Sequence, residues 1–256
     1  MNEDFPAGAA IVFGGSGGIG KGVALEFAKA GTDVALCYRS KEDVAQATAE
    51  AIRAEGVRAS IHRIDVRERA AMDALAAAAA AEHGRIHSVI WAAGPLVPQI
   101  PIADWTDDQF RQAVEVEAFG FRNAASAFIP HMRIKGGGSF VHLGSAGHDW
   151  WPKMDGLSVA PKAINEALIK GIAKEEGSRE IRANSVLIGV IDAGMFHELS
   201  AQGVFDAKWV EETQKLLCLK RWGAAEDIGR AAVFFASRRA NYVTGQTISV
   251  SGGFGV

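Results

Sequence analysis

The glycine-rich stretch GGSGGIG, Gly14 to Gly20, sets the reading of everything around it. It follows the short apolar run Ala9 to Phe13, and from Gly20 onward the apolar residues Val23, Leu25, Phe27 and Ala28 take up helical rather than alternating spacing. That order is strand, bare turn, helix. Without a Cβ the backbone can turn tightly and bring its N–H groups, and the positive end of the helix dipole, against a phosphate. Glycine turns also occur without ligands, so the weight lies on context: this one opens a βαβ unit of the length that dinucleotide-binding folds use.

The same unit repeats along the chain. DVALCY (Asp33 to Tyr38), RASIHRI (Arg58 to Ile64) and HSVIWAA (His87 to Ala93) read as strands, separated by helices from Lys41 to Glu55 and from Arg67 to His83. The alanine run Ala74 to Ala81 is a good helix former suited to close packing on a sheet. A helical stretch follows from Asp107 to Met132, then SFVHLG (Ser139 to Gly144), a helix from Asp155 to Glu176, RANSVLI (Arg182 to Ile188) and TISVSG (Thr247 to Gly252). Strands alternating with helices imply right-handed crossovers and a parallel sheet. The expectation is one α/β domain over 1–256, a doubly wound Rossmann-type sheet of about seven strands with helices on both faces. The segment from Asp192 to Trp222 breaks the rhythm and suits a substrate lid.

Composition excludes several classes. With 48% apolar and 22% charged residues in 256, the chain sits near the globular average. A chain this long buries about three quarters of its unfolded surface without a disulfide or metal. Cys37 and Cys218 are far apart and no His/Cys cluster has zinc spacing, so no metal is expected. A net charge of −3 and a pI near 6.2 argue against a nucleic-acid surface. No run approaches the roughly twenty apolar residues of a membrane span. Glu3 and Asp4 stand where a signal peptide would carry basic residues. A cytoplasmic protein is expected, with a small-molecule substrate and copies of itself as partners.

From the glycine loop on, the chain resembles the short-chain dehydrogenase/reductase family over almost its whole length. The family's TGxxxGIG motif is matched at Gly14, Gly18, Ile19 and Gly20, with Ser16 inside the loop and Phe13 in place of threonine. Asp65-Val66 matches the adenine-contacting pair after the third strand. Ala93-Gly94 ends an NNAG-like motif in which Trp91 and Ala92 replace both asparagines. NSVLIGVIDAGM resembles NxVxPGxIxTxM, which implies cofactor contacts at Gly189 and Ile191, and RWGAAEDIGRAAVFFAS with YVTGQTISVSGG resembles the carboxyl-terminal signature. At the second strand's end, Tyr38-Arg39-Ser40 places a tyrosine where NAD enzymes commonly carry a carboxylate for the ribose 2′-hydroxyl. A guanidinium such as that of Arg39 pairs with a 2′-phosphate in a bidentate fork, so NADP(H) is expected; the plainer alternative is a solvated loop charge.

The family's active site implies Ser145 (in HLGSAG) as the polarising serine and Lys162 as the ribose-binding lysine, with Ser158 at the tyrosine position and Glu117 (in VEVEAFG) at the asparagine position. Ser158 and Lys162 are four apart and share one helix face. The only tyrosines, Tyr38 and Tyr242, fall in the ribose-binding strand end and the carboxyl-terminal signature. A phenol titrates at about 10, whereas an aliphatic hydroxyl is a far weaker acid that mainly donates a hydrogen bond. Ordinary ketone reduction should therefore suffer. Hydride addition to a conjugated C=C instead gives an enolate, whose oxygen needs hydrogen-bond donors. The family's 2,4-dienoyl-CoA reductases are similar in carrying SxxxK, but supply a tyrosine from the loop after the fifth strand, where this chain has Gly147, His148, Asp149, Trp150 and Trp151.

His148 is then the substitute acid to consider, because imidazole titrates at about 6.5, against an idle loop histidine as the alternative. Asp149 ranks behind it. Glu117 either pairs with Lys162 or is solvated. Trp150 and Trp151 line an apolar substrate pocket or cover a subunit contact. The expected function is an NADPH-dependent oxidoreductase acting on an activated C=C, such as an enoyl or dienoyl thioester, or on a carbonyl. The alternative is a dinucleotide-binding sensor or subunit without turnover. The resemblance also implies a homotetramer, with a dimer as second choice, built on the helices of Asp107 to Met132 and Asp155 to Glu176.

Overall fold

Apolar runs too short for helices form the strands of the computed structural model, which describes residues 4–256; Glu3 lies outside the described residues. They are β1 (Ala9–Phe13), β2 (Asp33–Tyr38), β3 (Ala59–Arg63), β4 (Ile86–Trp91), β5 (Gly138–Ser145), β6 (Ile181–Ile188) and β7 (Thr247–Val250). All pair in parallel in the order β3-β2-β1-β4-β5-β6-β7, the doubly wound arrangement expected. Because β1 and β4 are covered on both faces, every residue of both strands is buried instead of alternating.

The period of two along β1 sorts the two cores. Ala9, Ile11 and Phe13 point into one, with α3 (Arg69–His83), α5 (Gly120–Ile134) and α6 (Gly156–Glu176) contributing Met72, Phe128 and Ile169. Ala10 and Val12 point into the other, with α1 (Gly18–Lys29), α2 (Glu42–Ala54) and α9 (Ala225–Ala236) contributing Phe27, Ile52 and Phe235. Helix α9 lies in the segment that its signature had marked without assigning it an element. It packs closely on α1 because Gly22 faces Ala225 and Gly229 faces Val23.

Two stretches differ from the periodic reading. Asp107 to Met132 is not one α-helix: α4 (Asp107–Val114) passes through a π turn, Glu115–Phe119, into α5. The Thr106–Gln109 capping box starts α4. The Asp192 to Trp222 segment carries α7 (Met195–Ala201) and α8 (Ala207–Lys215), joined through a stack of Phe205 on Trp209 with ring centroids 3.9 Å apart. Strand order reverses between β1 and β4, and the crevice at their carboxyl ends is where such sheets bind ligands.

Candidate active site

A cavity of about 1030 Å³ opens in that crevice and runs from the end of β2, over the glycine turn, to α7 and α8. Gly14 adopts φ 78°, a conformation that side-chain-bearing residues rarely take, and a Cβ there would strike the Ala92 carbonyl. A Cβ at Gly20 would strike the carbonyl of Gly14. The turn is closed by the Gly17 N–H donating to the Gly14 carbonyl at 2.9 Å, which leaves the amino end of α1 facing the cavity. Beneath it, Phe13 and Trp91 are register partners on β1 and β4 with ring centroids 5.1 Å apart. Phe13 and Trp91, at two of the three positions where the family motifs carry polar residues, thus form a buried aromatic pair. The Trp91 Nε1 is buried without a partner among the described residues. That deficit of about 1–3 kcal/mol is offset by the apolar area both rings bury.

At the β2 end, Tyr38 is buried while Arg39 and Ser40 are exposed on the cavity rim. The Arg39 carbonyl accepts from Arg63 Nε at 3.2 Å. Asp65 is gripped by Arg67 Nε at 2.9 and 3.2 Å, and this bonding holds its carboxyl below the usual aspartate range although partial burial opposes it. The Val66 carbonyl accepts from Asn123 at 3.1 Å. Ser16, Gly18, Ile19, Ala93, Gly94, Gly189 and Ile191 line the same cavity, so every cofactor residue expected from sequence is brought together.

At the other end, Ser145 closes β5, its Oγ accepting from the Gly147 N–H at 3.0 Å. Ser158 and Lys162 lie one turn apart on α6, both lining the cavity. Of the two readings of Glu117, the structure takes the pair: Lys162 Nζ donates to Glu117 Oε1, with the carboxylate only 1% exposed and the lysine 16%. Glu117 Oε2 is buried without a partner among the described residues. A π turn widens the helical ladder, and here the Glu117 carbonyl accepts from Asn165 Nδ2 at 3.1 Å. The backbone of Gly94 passes directly over the ion pair.

His148 is turned away from the cavity. A single tight turn, Ala146–His148, winds the ring back against α6, where Nε2 donates to the Val159 carbonyl at 3.1 Å, and the residue is not among those lining the cavity. Asp149 is likewise outside the wall, whereas Trp150 and Trp151 are in it, Trp150 packing on Phe254 at 5.1 Å.

Sequence reasoning missed Asp155 and Gln99. Gln99 Nε2 donates to Asp155 Oδ1 at 2.7 Å, and both side chains line the cavity beside Ser158. Burial pushes the Asp155 carboxyl above the ordinary aspartate value, against Gln99 and Lys162, which favour the charged form. The signal was present as spacing, since Asp155 stands three residues before Ser158. Phe196, Phe205 and Trp209, from α7, α8 and the loop between them, add an apolar wall. Among the described residues there is no cluster of His, Cys, Asp and Glu able to hold a metal, and no helix long and apolar enough to cross a membrane.

A family model described as enoyl-(acyl carrier protein) reductase matches residues 14–255. A 3-oxoacyl-[acyl-carrier-protein] reductase of Staphylococcus epidermidis is 30% identical over 249 residues, spanning 96% of this chain and 98% of that one. The structure of a 7α-hydroxysteroid dehydrogenase complexed with NADH and 7-oxo glycochenodeoxycholic acid is similar at TM-score 0.89 and 28% identity, over 99% of this chain and 96% of that one. A blue fluorescent protein from a metagenomic library, in complex with NADPH, is similar at TM-score 0.88 and 27% identity over 100% of both chains.

Proposed function

The chain belongs to the short-chain dehydrogenase/reductase family of oxidoreductases, and we propose that it is an NADPH-dependent reductase of an activated C=C or carbonyl in an apolar substrate. The observation carrying this reading is convergence: Ser145, Ser158 and Lys162 line one hollow with the glycine turn and the amino end of α1. That hollow fits a dinucleotide pyrophosphate. Arg39 and Ser40 would hold the adenosine ribose and its phosphate, Asp65 and Val66 the adenine, and Lys162 the nicotinamide ribose. When bound, the reduced nicotinamide supplies a hydride. The hydroxyls of Ser145 and Ser158 would donate to the substrate oxygen as negative charge gathers there. Trp150, Trp151, Phe205 and Trp209 would exclude water from that step and favour an acyl chain or ring.

The test is a panel of ketones, aldehydes and enoyl and dienoyl thioesters, each incubated with NADPH and followed by loss of cofactor absorbance. The thioesters are expected to respond best, in line with the acyl-carrier names of the family model and the staphylococcal relative. A second reading, a dinucleotide-binding protein without turnover, draws on Glu117, which neutralises Lys162 where the family has an asparagine. A panel with no turnover of any class, by a protein that binds NADPH, would favour it.

Arg39 beside a non-acidic residue is expected to favour NADPH over NADH by about 1.5 kcal/mol, roughly tenfold in Kd, the lower end for a charge-assisted bond because the guanidinium is solvated. Arg39→Ala should erase most of that margin. Fluorescence titrations giving the parent protein equal affinity for both cofactors would refute it. A homotetramer is expected, with a dimer as second choice: Phe110, Phe119 and Ile164 are exposed on the α4–α6 face, and Phe234, Tyr242 and Ile248 near β7. Light scattering at micromolar concentration that reports a monomer would overturn this.

A further inference from the structure

We propose that Asp155, held by Gln99 at the amino end of α6, is the proton donor that takes the place of the missing phenol. The assignment rests on the oxidoreductase reading above. Asp155 occupies the N-cap position of α6, where an aspartate ordinarily accepts from the backbone amides of the first turn. Its side chain makes no such bond. The Asp155 backbone carbonyl accepts from Ser158 and Val159 instead, at 3.0 and 3.1 Å, and the carboxyl turns to Gln99 and the cavity. The preceding residue, Met154, sits at φ 66°, a left-handed conformation unfavourable for a side chain of that shape. Strain of this kind persists where the surroundings impose it and gathers at functional sites.

The Gln99 amide donates to Oδ1 and fixes the side chain, leaving Oδ2 to carry the proton of the acid form; the bond itself favours the carboxylate, and burial opposes it. The charged groups around it are few. Lys162 stands on the same helix, tied to Glu117 of the π turn; Lys153 is on the preceding loop, and Glu198 of α7 is paired with Lys41 across the cavity mouth. Burial outweighs Lys162 and keeps the carboxyl above its ordinary value.

The step balances as follows. The reduced nicotinamide, when bound, would supply a hydride, and the substrate carbon would gain that hydrogen together with its two electrons. The Oδ2–H bond breaks, its proton passes to the substrate oxygen or to the α-carbon of the enolate, and Asp155 is left as a carboxylate. A proton from water entering at the exposed Trp151 and Lys153 rim restores the acid. Ser145 and Ser158 hold the oxygen during transfer and give up no proton.

Asp155→Asn keeps the shape and removes the proton, so kcat on the best panel substrate is expected to fall about a hundredfold, within the range for general acid catalysis, with NADPH affinity unchanged. A donor must be protonated, so reduction by the parent protein should hold at low pH and fall as pH rises through the Asp155 pKa. That alkaline limb should vanish in Asp155→Asn. Infrared difference spectra of the cofactor-free protein against Asp155→Asn should show a carboxyl that stays protonated above the pH at which an ordinary aspartate ionises, independently of any turnover. Turnover within threefold of the parent with the same pH profile, or a carboxyl that ionises as an ordinary aspartate does, would overturn the assignment alone. A panel without turnover of any class would overturn the reductase reading and the assignment together. Asp155→Glu, which keeps the acid, should retain the limb with reduced kcat if the variant is well positioned; a folded Asp155→Glu protein as slow as Asp155→Asn and lacking the limb counts against it.

Discussion

Lys162→Ala is expected to lower folding stability by about 3 kcal/mol, in addition to weakening NADPH binding. The Glu117 carboxylate is 1% exposed, and the Lys162 ammonium is the partner that neutralises it. Removing one member of a buried pair leaves the other charge desolvated and uncompensated, a loss of about 3–5 kcal/mol; the lower figure applies here because water in the cavity reaches the lysine side. Glu117→Gln should lose less, since Lys162 is then free to turn toward that water. The double variant Glu117→Gln/Lys162→Met should recover most of the stability lost in Lys162→Ala, because no buried charge is left. Urea melts of the parent, both single variants and the double variant measure the coupling. A loss under 1 kcal/mol in Lys162→Ala, with no recovery in the double variant, would mean that the pair is not formed in solution. Cofactor titrations on the same proteins separate the two roles of Lys162: Glu117→Gln should keep NADPH binding, and the double variant should lose it despite its stability.

The strands and the glycine turn were legible because they depend on local pattern. Val12, Val34 and Val89 lie in continuous apolar runs that only a sheet covered on both faces requires, and the run of Ala74 to Ala81 allows α3 to pack closely. The π turn at Glu115–Phe119 left no trace in periodicity: an extra residue turns the helical phase by about 100°, but the 8 residues of α4 before it are too few to fix the phase it departs from. Its effect is large all the same, because it sets the Glu117 carbonyl against Asn165. His148 was the reasonable acid by residue type, but which way a loop side chain turns is settled by partners distant in sequence, here the Val159 carbonyl. Asp155 was passed over for the opposite reason. An aspartate in front of a helix is read as a cap, and only the three-dimensional contact with Gln99, 56 residues away, shows that it does not cap.

Ser158→Ala is expected to raise the barrier to reduction by about 2.7–4 kcal/mol, the loss seen when one oxyanion donor is removed, while NADPH affinity stays within about twofold. Ser158 lines the cavity between Asp155 and Lys162, one turn from each along α6, so its hydroxyl shares their face of the helix and the removed group is small. Its acidity is too weak for proton transfer, but a hydrogen bond to developing negative charge strengthens as the hydride arrives, so the loss should appear in kcat more than in KM. Ser145→Ala should behave in the same way, and the two losses should not add if both hydroxyls grip one oxygen. Ser158→Tyr restores the family's acid in the same place. If Trp150, Trp151 and Glu117 leave room for the ring, ketones should become better substrates, and the dependence on Asp155 should weaken because a second proton donor is then present. The measurement is kcat and KM for the parent and for Ser158→Ala on the best panel substrate, at a pH below the alkaline limb. Turnover within about twofold, well under 1 kcal/mol, would show that Ser158 only fills space where the tyrosine stood and that Ser145 alone holds the oxygen.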